Sequence, residues 1–368
     1  MKIAINCRSF LTKQYTGIGR YADHLIRSLS EIDTANAYSL YAPKGLFDFK
    51  RQLPEIQAKN FTLLVDRFNK GVRETVGPVD IYHAPSLEDL PEGIARTVVT
   101  VHDVIFKSFP EGHTEETIVT SERQMKGIVQ RARRIICCSK STQRDLKRFY
   151  NVEDDRLRLV YQGVDKDMFY VLNESERVFA RGVLKKYAVT EPFLLFVGTI
   201  EPRKNLLNLL KAYAILREAG TFTGPLVVIG AMGWKNDAVG QTVTDLHLEK
   251  HVRFLGFLPN HELRCFYNLT EVFVFPSLYE GFGFPILEAM SCGAMVVTSN
   301  VSSCPEVSGD AALLVDPHQP GSIAQAIGII VSNDHLRSQL KERSVRRAAE
   351  FSFLETARQT LKVYQELM

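Results

Sequence analysis

The sequence predicts an α/β protein of two domains, each built on a doubly wound parallel sheet. Two observations lead to this prediction. The chain has 368 residues, which exceeds the size at which a single hydrophobic core stops growing. Short apolar runs rich in β-branched residues also alternate with longer amphipathic stretches, and this alternation is typical of βαβ units. Because it pauses near residues 165–175 and then begins again, the sequence indicates two similar halves joined there.

The predicted strands are short apolar runs. In the first half they are Lys2 to Asn6, Tyr38 to Tyr41, Phe61 to Val65, Asp80 to His83, Thr97 to Val101 and Arg134 to Cys138. In the second half they are Phe193 to Val197, Pro225 to Ile229, Val252 to Leu255, Val272 to Phe275, Ala294 to Val297 and Ala312 to Val315. A capping-box pattern at Ser352 to Glu355 opens a terminal helix. The predicted domains are residues 1–170 and 171–350, followed by a C-terminal helix at 351–368.

Composition and charge indicate an ordinary globular protein. Hydrophobic residues make up 45% of the chain and charged residues 24%, which excludes disordered, collagen-like and coiled-coil classes. The net charge is +3, with a mild basic excess in the first 170 residues. A run of cations at 123–134 favours a solvated helix face over a patch for anionic lipid headgroups. A nucleic-acid partner is not expected, because no aromatic residues interleave with these charges.

The six cysteines are scattered and have no metal-ligand spacing. They are therefore predicted to be buried free thiols, and no metal site is expected. The opening run, Met1 to Asn6, has the length of a strand and is too short for a signal peptide, so none is expected, and no run of eighteen apolar residues occurs. The expected location is the cytoplasm, with peripheral contact at the inner face of the plasma membrane as an open alternative. The oligomeric state is not predicted.

Two carboxylates, Glu280 and Glu288, flank a glycine-rich turn at the start of a predicted helix, Pro285 to Cys292. Proline suits the first helical position, and Gly293 suits the left-handed residue just past the helix end. Free backbone amides at a helix start attract an anion or a polar ligand, and two nearby acids favour recognition of hydroxyl groups. The alternative is a solvated loop acid and a helix-face acid, which the apolar surroundings disfavour.

A second candidate segment, at 198–205, follows the first strand of the second half. Arg203 and Lys204 lead into a predicted helix, Leu206 to Leu216. Cations at a helix start oppose the helix dipole, so we expect an anion such as a diphosphate to complete the site. Surface cations that reach solvent are the alternative.

Two further candidates lie in the first half. His102 and Asp103 follow the strand Thr97 to Val101, at the sheet edge where doubly wound folds bind ligands. A turn with a half-buried histidine is the alternative.

Gly17 and Gly19 lie too far beyond the first strand for a nicotinamide fingerprint. They suit a loop whose amides approach a diphosphate or an acceptor sugar, with a plain tight turn as the alternative.

With these segments together, the chain resembles the retaining, nucleotide-sugar-dependent glycosyltransferases of the glycogen-synthase-like superfamily, which have the GT-B fold. The resemblance is to family 4 in particular, which includes bacterial mannosyltransferases. It covers essentially the whole chain and is strongest at 275–290, the double-glutamate motif of the family. The segments 197–205 and 254–259 add independent matches. The resemblance implies two Rossmann-like domains facing across a cleft, with the C-terminal helix packed back on the N-terminal domain.

The resemblance also implies a set of donor-binding roles. Glu288 would hold the ribose hydroxyls of the donor, and Arg203 and Lys204 would clamp its diphosphate. The residues assigned to the transferred sugar are Glu280 and the amides of Phe282, Gly283 and Phe284. The implied catalytic residues are His102, Glu280, Arg203 and Lys204.

The remaining implied contacts come from other loops. A loop with Gly17 and Gly19 would close over the phosphates, His102 would lie beside the reacting face of the sugar, and Leu258 would border the nucleobase. Thr199 stands where related enzymes can carry an arginine, so the phosphate clamp would depend more on the two cations that follow it.

The expected function is therefore transfer of a hexose, with mannose from GDP-mannose as the best candidate, to a glycan or lipid-linked acceptor in surface polysaccharide biosynthesis. The family is described as retaining and metal-independent, and no cofactor beyond the nucleotide-sugar cosubstrate is expected. No second carboxylate suits a double displacement, so a front-face substitution is preferred. The alternatives are a nucleotide-sugar epimerase of the same fold and a non-catalytic nucleotide-sugar-binding subunit.

Overall fold

The structure, a computed structural model, describes residues 1–11, 17–45, 55–233 and 237–368. The chain forms two compact units, Met1–Gly163 with Ser352–Met368, and Val164–Phe351. The N-terminal segment of the first unit thus ends at Gly163, whereas the sequence pattern placed a boundary at residue 170. Among the described residues, no helix combines the length and apolar character needed to cross a membrane.

Each unit is built on one parallel sheet. The described strands of the first unit are β1 Lys2–Asn6, β2 Ala37–Pro43, β3 Phe61–Asp66, β4 Ile81–Ala84, β5 Thr97–Val101, β6 Arg134–Cys137 and β7 Leu157–Leu159. Those of the second unit are β8 Leu194–Val197, β9 Leu226–Ile229, β10 Val252–Gly256, β11 Val272–Phe275, β12 Val296–Ser299 and β13 Ala312–Val315. The strand orders are β3-β2-β1-β4-β5-β6-β7 and β10-β9-β8-β11-β12-β13. Both orders reverse direction inside the sheet, beside β1 and beside β8, as doubly wound folds do.

The helices connect these strands. In chain order the described helices are α1 Gly17–Ile32, α2 Val72–Val76, α3 Ile105–Ser108, α4 Glu115–Arg131, α5 Lys140–Tyr150, α6 Glu174–Lys186, α7 Leu206–Glu218, α8 Asp237–Asp245, α9 Asn260–Leu269, α10 Phe284–Ser291, α11 Cys304–Ser308, α12 Pro320–Val331, α13 Asp334–Ala349 and α14 Phe353–Gln365. All six cysteines are buried free thiols, as predicted.

The run of cations at 123–134 lies on and just after α4. Arg123 pairs with Asp89 at 2.9 Å, and Lys126 lies 3.9 Å from Glu122 one turn away. Both pairs are at the protein surface. This arrangement agrees with a solvated helix face, where such ion pairs contribute little to stability.

The terminal helix α14 packs within the first unit, against α1 and the central strands. The rings of His24 and Phe353 stack with centroids 4.5 Å apart. The buried Tyr364 hydroxyl lies 2.6 Å from Nδ1 of His83 on β4. At the start of the helix, Ser352 accepts a hydrogen bond from the Glu355 amide, so the predicted N-cap is present and the helix start is fixed.

Gly163 allows α14 to approach the end of the first unit closely. A Cβ at this position would lie 2.1 Å from the Phe353 amide nitrogen and 2.5 Å from the Ser352 carbonyl carbon. We expect Gly163→Ala to destabilise the protein by about 1–3 kcal/mol or more, because backbone atoms cannot rotate away. Denaturant-induced unfolding would measure this change.

Gly182→Ala provides the matched control, because a Cβ at Gly182 meets nothing within 4 Å and the residue lies inside α6. Alanine is the better helix former by about 1 kcal/mol, so this variant should be as stable as the parent protein or more so. Equal unfolding midpoints for the two variants would show that the contact between Gly163 and α14 is not tight.

Candidate functional site

The switch point of the second sheet brings together two loops that are distant in sequence. β8 and β11 are neighbours in the sheet, and the loops that follow them run from their carboxyl ends to α7 and α10. In doubly wound folds, ligands bind outside the strand ends at this position, where the strand order reverses. Arg203 and Lys204 lie in the first loop, and Glu280 lies in the second.

These three side chains form one ionic cluster, in which Glu280 and Lys204 are buried and Arg203 is partly exposed. Glu280 receives Nζ of Lys204 at 2.6 Å on one carboxylate oxygen and Nη1 of Arg203 at 2.8 Å on the other. A second acid, Glu201, pairs with the other terminal nitrogen of Arg203. The sequence analysis expected a bound anion to balance the two cations. In the structure, two carboxylates of the chain itself supply that negative charge.

The ionic cluster also sets the charge state of its members. Burial alone would raise the pKa of Glu280, but Arg203 and Lys204 outweigh burial and hold the pKa below the ordinary value of 4.5. Burial and the neighbouring guanidinium lower the pKa of Lys204, and attraction to Glu280 opposes them. Glu280 is therefore ionised at neutral pH, and it holds both cations at a fixed position.

Asn205 fixes the loop that carries the cations. Its backbone adopts a left-handed conformation, with φ of 61°, which ends the short 3-10 turn Pro202–Lys204. Its side-chain amide donates to the carbonyls of Pro276 and Pro317 at 2.9 and 2.7 Å. Asparagine tolerates the left-handed region better than most residues, so one side chain joins three loops at this sheet edge.

Serines from the loop after β12 hold the Glu280 loop from the other side. The Glu280 amide donates to Ser302 Oγ at 2.9 Å. Ser303 Oγ donates to the carbonyls of Glu280 and Phe282 at 3.0 and 2.8 Å. In the structure, these serines position the acid.

The second acid, Glu288, lies in the second turn of α10. The helix begins at Phe284, one residue before the predicted start, because Gly283 with φ of 104° turns the chain into it. Glu288 is buried and accepts a hydrogen bond from the Tyr267 hydroxyl at 3.0 Å. The two acids thus lie at the start of one helix, as predicted, in different hydrogen-bonding environments.

Leu258 lies in the loop between β10 and α9, with only 4% of its surface exposed. Its side chain therefore belongs to the interior. Its neighbour Phe257 is 60% exposed and presents an aromatic ring beside the same loop. A ligand at this loop would contact the Leu258 backbone or the Phe257 ring rather than the leucine side chain.

The first unit carries the other predicted residues. His102 follows β5, partly buried, and its ring lies edge-on against Tyr21 with centroids 4.9 Å apart. The sequence analysis expected Gly17 and Gly19 in a loop. In the structure, they lie in the first turn of α1 instead. The preceding Tyr15 and Thr16 lie outside the described residues. Both glycines therefore lie at a helix start.

Comparisons with known proteins assign the chain to a family. The family model described as Glycosyl transferases group 1 matches residues 184–347, and the model described as Glycosyltransferase Family 4 matches residues 15–168. O-antigen chain mannosyltransferase B of Escherichia coli is 32% identical, over 96% of this chain and 96% of its own length. The chain belongs to glycosyltransferase family 4. The family predicted from the motifs is thereby confirmed.

Two further comparisons place this glycosyltransferase among its relatives. The serotype-specific mannosyltransferase WbdA of Escherichia coli is 30% identical over 241 residues, which are 65% of this chain and 29% of that protein. The sucrose-phosphate synthase structure from Thermosynechococcus elongatus superimposes with a TM-score of 0.79 at 21% identity, over 100% of this chain and 98% of its own. The predicted GT-B fold is confirmed by these two parallel-sheet units and this structural likeness.

The sequence analysis missed several polar groups of this glycosyltransferase. Glu201 pairs with Arg203, and Gln162 contacts His102. In the first unit, Asn6 donates to Tyr82 and Glu88 at the carboxyl edge of the sheet, where burial raises the pKa of Glu88 to about 7. Only the carboxyl-edge position of Asn6, at the end of a strand, could have drawn attention to this cluster.

Proposed function

We propose that this glycosyltransferase moves mannose from GDP-mannose to a glycan or lipid-linked acceptor in surface polysaccharide biosynthesis, with retention of anomeric configuration and without a metal ion. The ionic cluster of Glu280, Arg203 and Lys204 at the switch point carries the proposal. It provides two cations for a diphosphate, the buried Lys204 and the partly exposed Arg203, and an acid for sugar hydroxyls that is ionised at neutral pH. The choice of mannose is supported by the names of relatives such as O-antigen chain mannosyltransferase B.

Donor binding would exchange partners within the ionic cluster. In the structure, the guanidinium of Arg203 and the ammonium of Lys204 contact Glu280. Phosphate oxygens of the donor would bind these two cations in place of Glu280. The carboxylate oxygens of Glu280 would then accept hydrogen bonds from the sugar, together with the amides of Phe282, Gly283 and Phe284. Glu288 would hold the ribose hydroxyls. Without a bound donor, Glu280 would thus balance the charge of both cations and hold them where a diphosphate would bind.

The same cations would stabilise the transition state. As the bond between the anomeric carbon and the phosphate oxygen breaks, negative charge grows on the diphosphate, and fixed cations stabilise it without reorganisation. Arg203 and Lys204 supply this positive charge, so the proposal requires no metal ion. Transfer activity should therefore persist when divalent cations are chelated with EDTA.

Retention would follow from a front-face substitution. The acceptor oxygen bonds to the anomeric carbon on the face that the phosphate leaves, and the acceptor proton passes to the departing phosphate oxygen. His102 would lie beside the sugar without acting as the base, because both of its ring nitrogens contact groups of the chain itself. A trapped covalent glycosyl-enzyme intermediate would contradict this mechanism.

A thermal-shift panel of GDP-, UDP-, dTDP- and ADP-linked sugars tests the donor. A ligand that binds only the folded state stabilises it by about 2.7 kcal/mol at roughly 100 times its Kd. We expect GDP-mannose to raise the unfolding temperature and the other nucleotides to raise it less. A response to UDP sugars alone would overturn the choice of nucleotide, and no response to any sugar would overturn the donor site.

Product analysis separates transfer from binding. With a glycan acceptor and GDP-mannose, NMR of the product should show an α-linked mannose, the configuration of the donor. Tight donor binding with neither transfer nor donor hydrolysis would instead indicate a non-catalytic nucleotide-sugar-binding subunit. Release of an altered nucleotide sugar would indicate an epimerase.

A further inference from the structure

Both ring nitrogens of His102 are occupied by groups of the first unit. Nε2 lies 2.8 Å from the carbonyl oxygen of Pro85, in the loop after β4. Nδ1 lies 2.7 Å from the side-chain amide nitrogen of Gln162, in the segment after β7. Gln162 is 1% exposed, so this contact is shielded from water.

The chemistry of the two partners fixes the proton on the ring. A backbone carbonyl only accepts, so Nε2 must carry the proton that points at Pro85. An amide NH₂ group only donates, so Nδ1 must offer its lone pair to Gln162. The result is a neutral imidazole in a single tautomer, with no ring nitrogen left to take up or release a proton.

The other oxygen-nitrogen assignment of the Gln162 amide gives a poorer arrangement. With its carbonyl oxygen against Nδ1, a neutral ring would present a lone pair to a lone pair, and only a doubly protonated, charged ring would fit. In the structure, that carbonyl oxygen, Oε1, is buried and makes no hydrogen bond among the described residues. The NH₂ group of the amide therefore faces His102, because the opposite orientation would require a charged ring. This orientation leaves Oε1 without a hydrogen bond among the described residues.

We propose that Gln162 is a positioning residue that holds His102 as a neutral imidazole with its proton on Nε2. The segment around Gln162 is itself held by the terminal helix. The Tyr161 carbonyl accepts from Thr356 Oγ1 on α14 at 2.7 Å, and Gly163 packs against the backbone of Phe353. α14 thus fixes the residues on both sides of Gln162, and Gln162 fixes His102.

The groups around the ring agree with a neutral state. Burial lowers the pKa of His102, and the Pro85 carbonyl and Asp103 oppose this. From β4, the buried His83 has its own pKa lowered to about 3, chiefly by burial, so it stays uncharged. From α1, Tyr21 packs edge-on, and Cys138 after β6 donates to the His102 carbonyl.

The value of a neutral ring rests on the proposed function, in which positive charge develops on the sugar. An imidazolium beside an oxocarbenium-like centre would repel that charge, whereas a neutral ring would not. At an effective dielectric constant near 20, two unit charges about 5 to 8 Å apart repel enough to slow a reaction by roughly 30- to 300-fold. Gln162 therefore contributes to turnover without touching the substrate.

NMR of the free enzyme labelled with ¹⁵N-histidine tests the inference directly, with His102 assigned by comparison with His102→Gln. Between about pH 5 and about pH 8, where an ordinary histidine titrates, His102 should keep a protonated-type shift at Nε2 and an unprotonated-type shift at Nδ1. Titration of His102 within this range, or a proton on Nδ1, would overturn the proposal. This measurement uses no donor, so it is independent of the donor panel.

Gln162→Glu tests the consequence for catalysis. A carboxylate against Nδ1 favours a second ring proton and should raise the pKa of His102 by about one to three pH units. Because the charged ring is present below that pKa, kcat should fall about 30-fold or more on the acidic side and recover as pH rises, with donor KM little changed. Gln130→Glu is the matched control. Gln130 lies at an exposed position of α4, so this variant should not lose kcat at acidic pH in this way.

Gln162→Leu separates charge from packing. It removes the amide without adding a charge, so any loss of kcat should be independent of pH. The same pH-independent loss in Gln162→Glu and Gln162→Leu would show that Gln162 has only a packing role and would contradict the proposal. Should either variant unfold, the pH titration of the parent enzyme still decides the state of His102.

Discussion

Replacing Lys204 with methionine should lower kcat/KM for sugar transfer by about 10²- to 10³-fold, the range found when one fixed group that stabilises growing negative charge is removed. Methionine keeps most of the length of the side chain and removes the ammonium that contacts Glu280 at 2.6 Å. Most of the loss should appear in kcat, because the negative charge on the diphosphate is greater in the transition state than in the bound donor. Steady-state kinetics with GDP-mannose and a glycan acceptor would measure it.

The fold should survive this change. Removing one partner of a buried ion pair is costly chiefly when the other charge is left uncompensated. Here Arg203 still lies 2.8 Å from the second oxygen of Glu280. Thermal unfolding of Lys204→Met should therefore remain cooperative, which keeps the kinetic result interpretable.

Lys186→Met is the matched control. Lys186 also pairs with a glutamate at 2.7 Å, but it lies on α6 with 58% of its side chain exposed. Surface pairs of this kind contribute little, so the control should transfer sugar at the parent rate. Equal activity of the two variants would show that the Lys204 ammonium does not contact the diphosphate.

The sequence predicted most of the fold because the signals for strands are local. Buried parallel strands are short, β-branched and flanked by turn residues, and twelve predicted strands correspond to described strands, with ends shifted by a few residues at most. β7 was missed because Leu157–Leu159 is three residues long with an arginine at its centre. So short a segment gives neither a continuous apolar run nor a clear alternation.

The candidate site was predicted as separate pieces, since its connections depend on which strands are neighbours. Lys204 and Glu280 are 76 residues apart in sequence and meet only because β8 lies beside β11. The sequence analysis thus identified both charges but attributed their balance to a missing ligand. Gln162 and His102 are 60 residues apart, and a buried glutamine beside a glycine gives no pattern that distinguishes it from a turn.

Replacing Glu288 with alanine should weaken donor binding by about 10- to 100-fold, because charge-assisted hydrogen bonds to the ribose hydroxyls are each worth about 1.5–3 kcal/mol. The effect should appear in donor KM with kcat nearly unchanged, since ribose contacts are the same in the ground state and the transition state. Calorimetric binding of GDP should show the same loss. His102→Ala should show the opposite pattern, with slow transfer and nearly normal binding.

Two further variants separate the carboxylate from its surroundings. Tyr267→Phe removes the 3.0 Å hydrogen bond to Glu288 but keeps the charge, so it should weaken GDP binding by less than about tenfold. Glu288→Gln keeps an oxygen for the Tyr267 hydroxyl and the packing of α10, so its loss of affinity reports on the charge in a folded protein. If Glu288→Gln and His102→Ala weakened GDP binding equally, the assignment of Glu288 to the nucleotide and His102 to the sugar would be wrong.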